Sequence, residues 1–200
     1  VRDGLGSELP LSNLNGGLNL DAYKAVLEDY DYVDIHNYID HPGFEEESWR
    51  LPARPGNGGQ NFLVGGKFGS SYCNNLLGRP MVVSEINLCA PWCNESVSGF
   101  AIGSLSALQG ASAVYRFNWG NSGRFLKPES AARHYFSLSG NPMMMASERA
   151  AICLFERGDL KSLDQMYAYW LDANSLATGG VASVTASTYF ANGWVAWRRK

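Results

Sequence analysis

Over residues 1–160 the hydrophobic positions alternate between two periods. At residues 21–30, Ala22, Ala25, Val26 and Tyr30 recur at helical spacing behind Asp21 as a cap, which predicts a helix. Residues 32–36 then read as a strand. Residues 40–59 are polar and Gly-rich, carry Pro42, Pro52 and Pro55, and show no period, so they read as an extended loop of the kind that is usually functional. A weaker helix interrupted by Gly65, Gly66 and Gly69 is expected over 61–77. Residues 81–84 form a short apolar, β-branched run bounded by Gly78-Arg79-Pro80 and Asn87, which predicts a second strand. Phe100, Ile102, Leu105 and Leu108 give residues 96–109 a broad apolar helical face. A third strand follows over 113–117, closed by Asn118-Trp119-Gly120, and then a helix over 141–155 with Pro142 in its first turn.

The order helix, strand, helix, strand, helix, strand, helix, with connections long enough for parallel pairing, is an α/β pattern. Beyond Gly158 the character changes. Residues 165–171 and 181–190 are strand-like, with Gly179-Gly180 and Asn192-Gly193 as turns. A boundary at 158–163 therefore separates residues 1–160, an array of βα units, from residues 161–200, the start of a β-rich domain. Three strands cannot close an eight-stranded barrel, which takes about 250 residues. The α/β part is then either an open sheet or the carboxyl-terminal portion of a (β/α)8 TIM barrel whose first half lies outside this chain.

With 200 residues, 46% of them apolar, the chain can bury a sizeable core. A net charge of −3 and 18% charged residues leave no electrostatic footprint for nucleic acid, and Arg198-Arg199-Lys200 is too short to supply one. Glu45-Glu46-Glu47 reads as a solvated loop face. No apolar run approaches the roughly 18 residues of a membrane span, so a soluble chain is expected. It opens on Val1 with no signal peptide, which points to a removed upstream piece and leaves localisation unread. Among Cys73, Cys89, Cys93 and Cys153 only Cys89 and Cys93 are close, a spacing that suits two thiols or a loop disulfide better than zinc. His36 and His41, with Asp34 and Asp40 nearby, share no fixed face on a strand that runs into a loop, so no metal or cofactor is expected.

The chemistry centres on Glu85, a carboxylate that ends the apolar run Pro80-Met-Val-Val-Ser-Glu-Ile-Asn87. In a parallel α/β barrel the active site lies at the carboxyl ends of the strands. Alone, such a Glu more often caps a helix or pairs with an Arg. Parallel strands would, however, bring three sets to one rim: Asp34-Ile-His36-Asn-Tyr38, Ser84-Glu85-Ile-Asn87 and Arg116-Phe-Asn118-Trp119. Ser84 as a nucleophile is disfavoured, because no Gly-x-Ser-x-Gly elbow surrounds it.

Taken together, the three strand-end sets resemble the last three strands of the clan A glycoside hydrolases, and a wider pattern follows in His36-Asn-Tyr-Ile-Asp-His-Pro42, Val83-Ser-Glu-Ile-Asn87, Ala107-Leu-Gln109 and Leu154-Phe-Glu-Arg-Gly-Asp159. Clan members are retaining (β/α)8 barrels, and the wider pattern is similar to bacterial β-galactosidase-like and agarase-like members. The resemblance covers residues 20–160. It implies Glu85 as the catalytic nucleophile acting on a β-linked glycan or polysaccharide, with Tyr38 donating to its carboxylate to hold it ionised and oriented. It further implies His36 and Asn87 at the sugar, Trp119 as a stacking platform, and Trp49 and Trp92 as loop contacts. A secreted or periplasmic protein whose partner is its carbohydrate substrate would follow. The clan's acid/base Glu follows an Asn on an earlier strand, and Glu8 does not fit that position. The acid/base is therefore expected upstream of Val1, with the missing amino-terminal half, and the chain alone should hydrolyse poorly. The alternative is a non-catalytic carbohydrate-binding or scaffold protein on the same fold.

Overall fold

The computed structural model describes residues 2–12, 29–39, 41–48, 50, 52–54, 71–72, 74–90, 92, 94–120, 135–171 and 194–199. Most of the helices expected over 21–30 and 61–77, and the strand over 181–190, lie outside these residues. A single helical turn, α1 (Arg2–Leu5), comes first. The core is a parallel three-stranded sheet in the order β1 (Val33–Ile39), β4 (Met81–Leu88), β5 (Ala113–Arg116). This mixed α/β unit with a parallel sheet agrees with the sequence pattern. The stretch read as one loop over 40–59 contains a two-residue antiparallel ladder, β2 (Gly43–Phe44) with β3 (Ala53–Arg54). Such short strands leave no period to read.

The middle strand is longer than expected and is bulged. Ile35 pairs with Val83 but His36 pairs with Glu85. Across the other edge, Val83 pairs with Val114 and Ile86 with Arg116. Both registers place one extra residue on β4 between Val83 and Ile86. Strict alternation would put Glu85 on the same face as Met81 and Val83, which are buried. Since one added residue reverses which face the following side chains take, the bulge turns Glu85 to the other side and returns Ile86 and Leu88 to the buried one.

That buried side is apolar. Val33, Ile35, Met81, Val83, Ile86 and Leu88 join Ile102, Leu105 and Met144 in one cluster, each fully buried aliphatic side chain contributing about 1.5–3 kcal/mol. The covering helices are α2 (Ser98–Leu108), entered through a 3-10 turn at Glu95–Val97, and α3 (Pro142–Ala151), which runs into a π-helical turn at Ile152–Glu156. Asn141 caps α3 by accepting from Met143 and Met144 N–H groups, with Pro142 in the first turn as expected. No residue of its own chain segment caps α2. Instead Ser147 Oγ of α3 accepts from the N–H groups of Gly99 at 2.8 Å and Phe100 at 3.3 Å. This contact needs bare backbone, since a Cβ on Gly99 would lie 2.1 Å from the Ser147 carbonyl oxygen and one on Gly103 2.6 Å from Ala151 Cα. The apolar face of α2 accordingly differs from the expected one: Ala101, Ile102 and Leu105 are buried, while Phe100 is 53% exposed. A Schellman motif ends the helix, with Ala111 N–H donating to Ser106, Gly110 N–H donating to Ala107, and Gly110 at φ 67°.

Beyond residue 160, β6 (Met166–Leu171) pairs in parallel with β7 (Trp194–Arg199), a strand the hydrophobic pattern did not suggest. Among the described residues no helix is long and apolar enough to cross a membrane.

Candidate active site

The face of the sheet turned away from the helices carries Asp34, His36 and Tyr38 from β1 and Glu85 from β4. Parallel register sets them side by side, His36 against Glu85 and Tyr38 against Asn87. The Tyr38 hydroxyl donates to Glu85 Oε2. His36 Nδ1 lies 3.2 Å from the same oxygen, and His36 Nε2 lies 2.9 Å from Ser84 Oγ. Where His36 Nδ1 carries the hydrogen toward the Glu85 carboxylate, Nε2 is left as the acceptor and Ser84 Oγ donates to it. The result is a directed chain, Ser84 to His36 to Glu85, met from the other side by Tyr38. At 30% and 34% exposure, the His36 and Glu85 side chains remain open to a ligand.

Two devices hold this geometry. Asp34 Oδ1 accepts from the Ser84 N–H at 3.3 Å, where the bulge interrupts the ladder. The Tyr38 ring is held by aromatic neighbours, with His41 and Phe117 each at 5.3 Å and Phe136 at 5.4 Å, the two phenylalanines edge-on. Burial pushes the Tyr38 hydroxyl well above the usual tyrosine value, with the bond to Glu85 and its charge adding to the rise. The hydroxyl thus keeps its proton and stays a donor.

Other residues expected at the rim have different positions. Asn87 is fully buried; its amide donates to the Phe136 carbonyl and its Oδ1 accepts from Leu88 N–H. Asn87 therefore anchors the segment that brings Phe136 onto Tyr38 and is not placed to touch a sugar. Trp92, expected as a loop contact, is 6% exposed and packs in the hydrophobic cluster. Trp49 lies outside the described residues. Trp119 is 52% exposed, and its carbonyl accepts from Ser139 N–H at 2.9 Å, so a stacking surface is presented on an anchored backbone. Arg116 pairs with Ile86, a residue of the helix-covered side, and turns to Ser98 Oγ at 2.8 Å and Glu148 Oε2 at 3.0 Å. It belongs to the scaffold rather than the rim. Cys89 Sγ donates to the Ala90 carbonyl, and Cys93 lies outside the described residues.

Sequence reasoning set Asp34 and Ser84 at the rim but gave neither a role there, and it missed Phe136. A hint lay in Val-Val-Ser-Glu-Ile, which breaks strict alternation at the bulge; nothing comparable marks Phe136. Among the described residues no group of three or more His, Cys, Asp or Glu could hold a metal ion. A cavity of about 200 Å³ lined by Gly78, Arg79, Gln109 and Gly110 opens at the amino-terminal ends of β4 and β5, far from this chemistry. Among the described residues the site is a half-exposed sheet face. No protein-family model matches the chain, and neither do any curated protein or solved structure.

Proposed function

We infer that this chain carries the nucleophile-bearing part of a retaining glycoside hydrolase acting on a β-linked glycan, with Glu85 as the nucleophile. The observation that carries this reading is the convergence of Tyr38 and His36 on a single oxygen of Glu85. Oε2 accepts from Tyr38 and faces His36 Nδ1 at 3.2 Å, so Oε1 is the oxygen assigned to the anomeric carbon. Donors that match the ionised form orient the carboxylate without covering the attacking atom. His36, a third exposed, serves the same subsite, and Trp119 offers a face to the C–H side of the sugar.

In the fuller form of this reading β1, β4 and β5 are the last three strands of a (β/α)8 barrel. What supports it is their parallel order, the helices on one face and the half-exposed polar residues on the other. Residues 161–200 would then open a β-rich accessory domain. The acid/base carboxylate, which a retaining mechanism needs roughly 5–5.5 Å from the nucleophile, is assigned to the upstream half of the barrel.

Double displacement at Glu85 preserves anomeric configuration. Proton NMR of the full-length protein acting on 4-nitrophenyl β-glycosides is expected to show the β-anomer of the sugar first, before mutarotation. First formation of the α-anomer would contradict the reading, and binding of glycans without any hydrolysis would favour a non-catalytic carbohydrate-binding protein.

A further inference from the structure

We propose that Ser84, His36 and Glu85 form a serine–histidine–carboxylate relay that cleaves short acyl esters. The proposal goes beyond the glycosidase reading, because the covalent residue is Ser84 and Glu85 only orients and stabilises the histidine. Three features carry it. Ser84 Oγ is 2.9 Å from His36 Nε2, and His36 Nδ1 is 3.2 Å from Glu85 Oε2, so nucleophile, base and orienting acid are connected through the same ring nitrogens as in acyl-transfer hydrolases. Glu85 is itself fixed, since Tyr38 donates to the oxygen that faces the imidazole. Ser84 finally stands at the β4 bulge, flanked in register by Val83 and Glu85, with its N–H turned to Asp34.

The strand geometry answers the objection raised by the sequence. A Gly-x-Ser-x-Gly elbow exists to lift a serine hydroxyl off the sheet toward its histidine. Here strand alternation already sets Ser84 on the open face, the bulge brings Glu85 to the same face, and the partner histidine comes from the neighbouring strand rather than from a distant loop. Bulges re-aim side chains in this way next to active sites.

The chemistry balances within these groups, the ester and water. His36 Nε2 takes the Ser84 proton as Oγ bonds to the acyl carbon. Collapse of the adduct breaks the bond to the leaving oxygen, which receives that proton from Nε2 and departs as an alcohol. Water then gives a proton to Nε2 and its oxygen to the acyl carbon, the Oγ–acyl bond breaks, and Ser84 recovers its proton. The net change is ester plus water to carboxylic acid plus alcohol.

The test uses the full-length protein with two probes, 4-nitrophenyl acetate and an alkyl fluorophosphonate. The expected results are a single phosphonyl adduct on the peptide containing Ser84 and release of 4-nitrophenolate that falls to the buffer rate in Ser84→Ala. His36→Gln should lower that release by about 10³-fold or more, and Glu85→Gln by a comparable factor, as loss of an orienting carboxylate does in such triads. Circular dichroism of each variant checks that the sheet is retained, and Ser84→Thr, which keeps the hydroxyl, covers the case in which the alanine variant does not fold. Absence of the adduct, an adduct on another residue, or equal release by wild type and Ser84→Ala would overturn the proposal. Acyl reactivity at Ser84 in a protein inert to glycosides would leave it standing while removing the glycosidase reading.

Discussion

Glu85→Ala is expected to lower glycoside turnover by roughly 10⁴- to 10⁶-fold, the scale on which loss of a covalent nucleophile is felt. In the glycosidase mechanism the carboxylate makes the bond to the anomeric carbon, and no neighbour substitutes for it: Tyr38 and His36 both point their donors at Glu85 and offer it nothing to replace an attacking oxygen. Truncation also empties a space beside the anomeric centre. Sodium azide is expected to enter that space and restore a measurable part of the rate on an activated aryl glycoside, giving a glycosyl azide. Steady-state kinetics of the variant with and without azide check both halves of this expectation. Unchanged turnover in Glu85→Ala would end the assignment.

The second large effect is on stability and lies behind the sheet. Arg116 and Glu148 tie β5 to α3, with Arg116 Nε 3.0 Å from Glu148 Oε2 and side chains only 12% and 16% exposed. Burial holds the Arg116 guanidinium below its usual range despite the Glu148 charge, and it raises the Glu148 carboxyl despite the Arg116 charge. Among the described residues Arg116 Nη1 has no hydrogen-bond partner. Desolvation thus outweighs attraction in this pair. Glu148→Ala would leave a buried, uncompensated cation, and a loss of about 3–5 kcal/mol is expected, read as a lower urea midpoint at unchanged m-value. Replacing both partners by apolar groups, Arg116→Met with Glu148→Leu, is expected to return stability to the wild-type level or above it. A folded-state value raised above the unfolded one means that the Glu148 contribution is full below the ordinary carboxylate range. It is lost as pH rises through the raised value, a dependence the double variant should lack.

The α/β order was legible because β-branched runs and helical spacing alternate along the chain, and a parallel sheet follows from connections of that length. His36, Tyr38 and Glu85 were legible as a set for the same reason: parallel strands carry their ends to one rim. The bulge left only the broken alternation of Val-Val-Ser-Glu-Ile in the sequence, and the pairing partners alone show that β4 holds one residue more than its neighbours. Without it Glu85 would face α2, so the feature that makes the site is the one the pattern hides. Trp92 and Trp119 are alike in sequence, yet one fills the core and the other meets solvent, a difference set by tertiary packing alone. Phe100 illustrates the converse: small residues, Gly99 and Gly103, draw α3 close and leave the larger side chain outside. Asn87 was a plausible sugar ligand by position but serves the backbone of Phe136, a residue from a segment without a readable period.

The central claim is that Glu85 forms the covalent bond to sugar. It is tested most directly by mass spectrometry of the full-length protein after incubation with 2-deoxy-2-fluoro-β-glycosyl dinitrophenyl ethers, whose leaving group departs without an acid catalyst. The account predicts one glycosyl adduct on the peptide carrying Glu85, absent from Glu85→Ala. An adduct on any other carboxylate, or turnover that persists in Glu85→Ala, would contradict it.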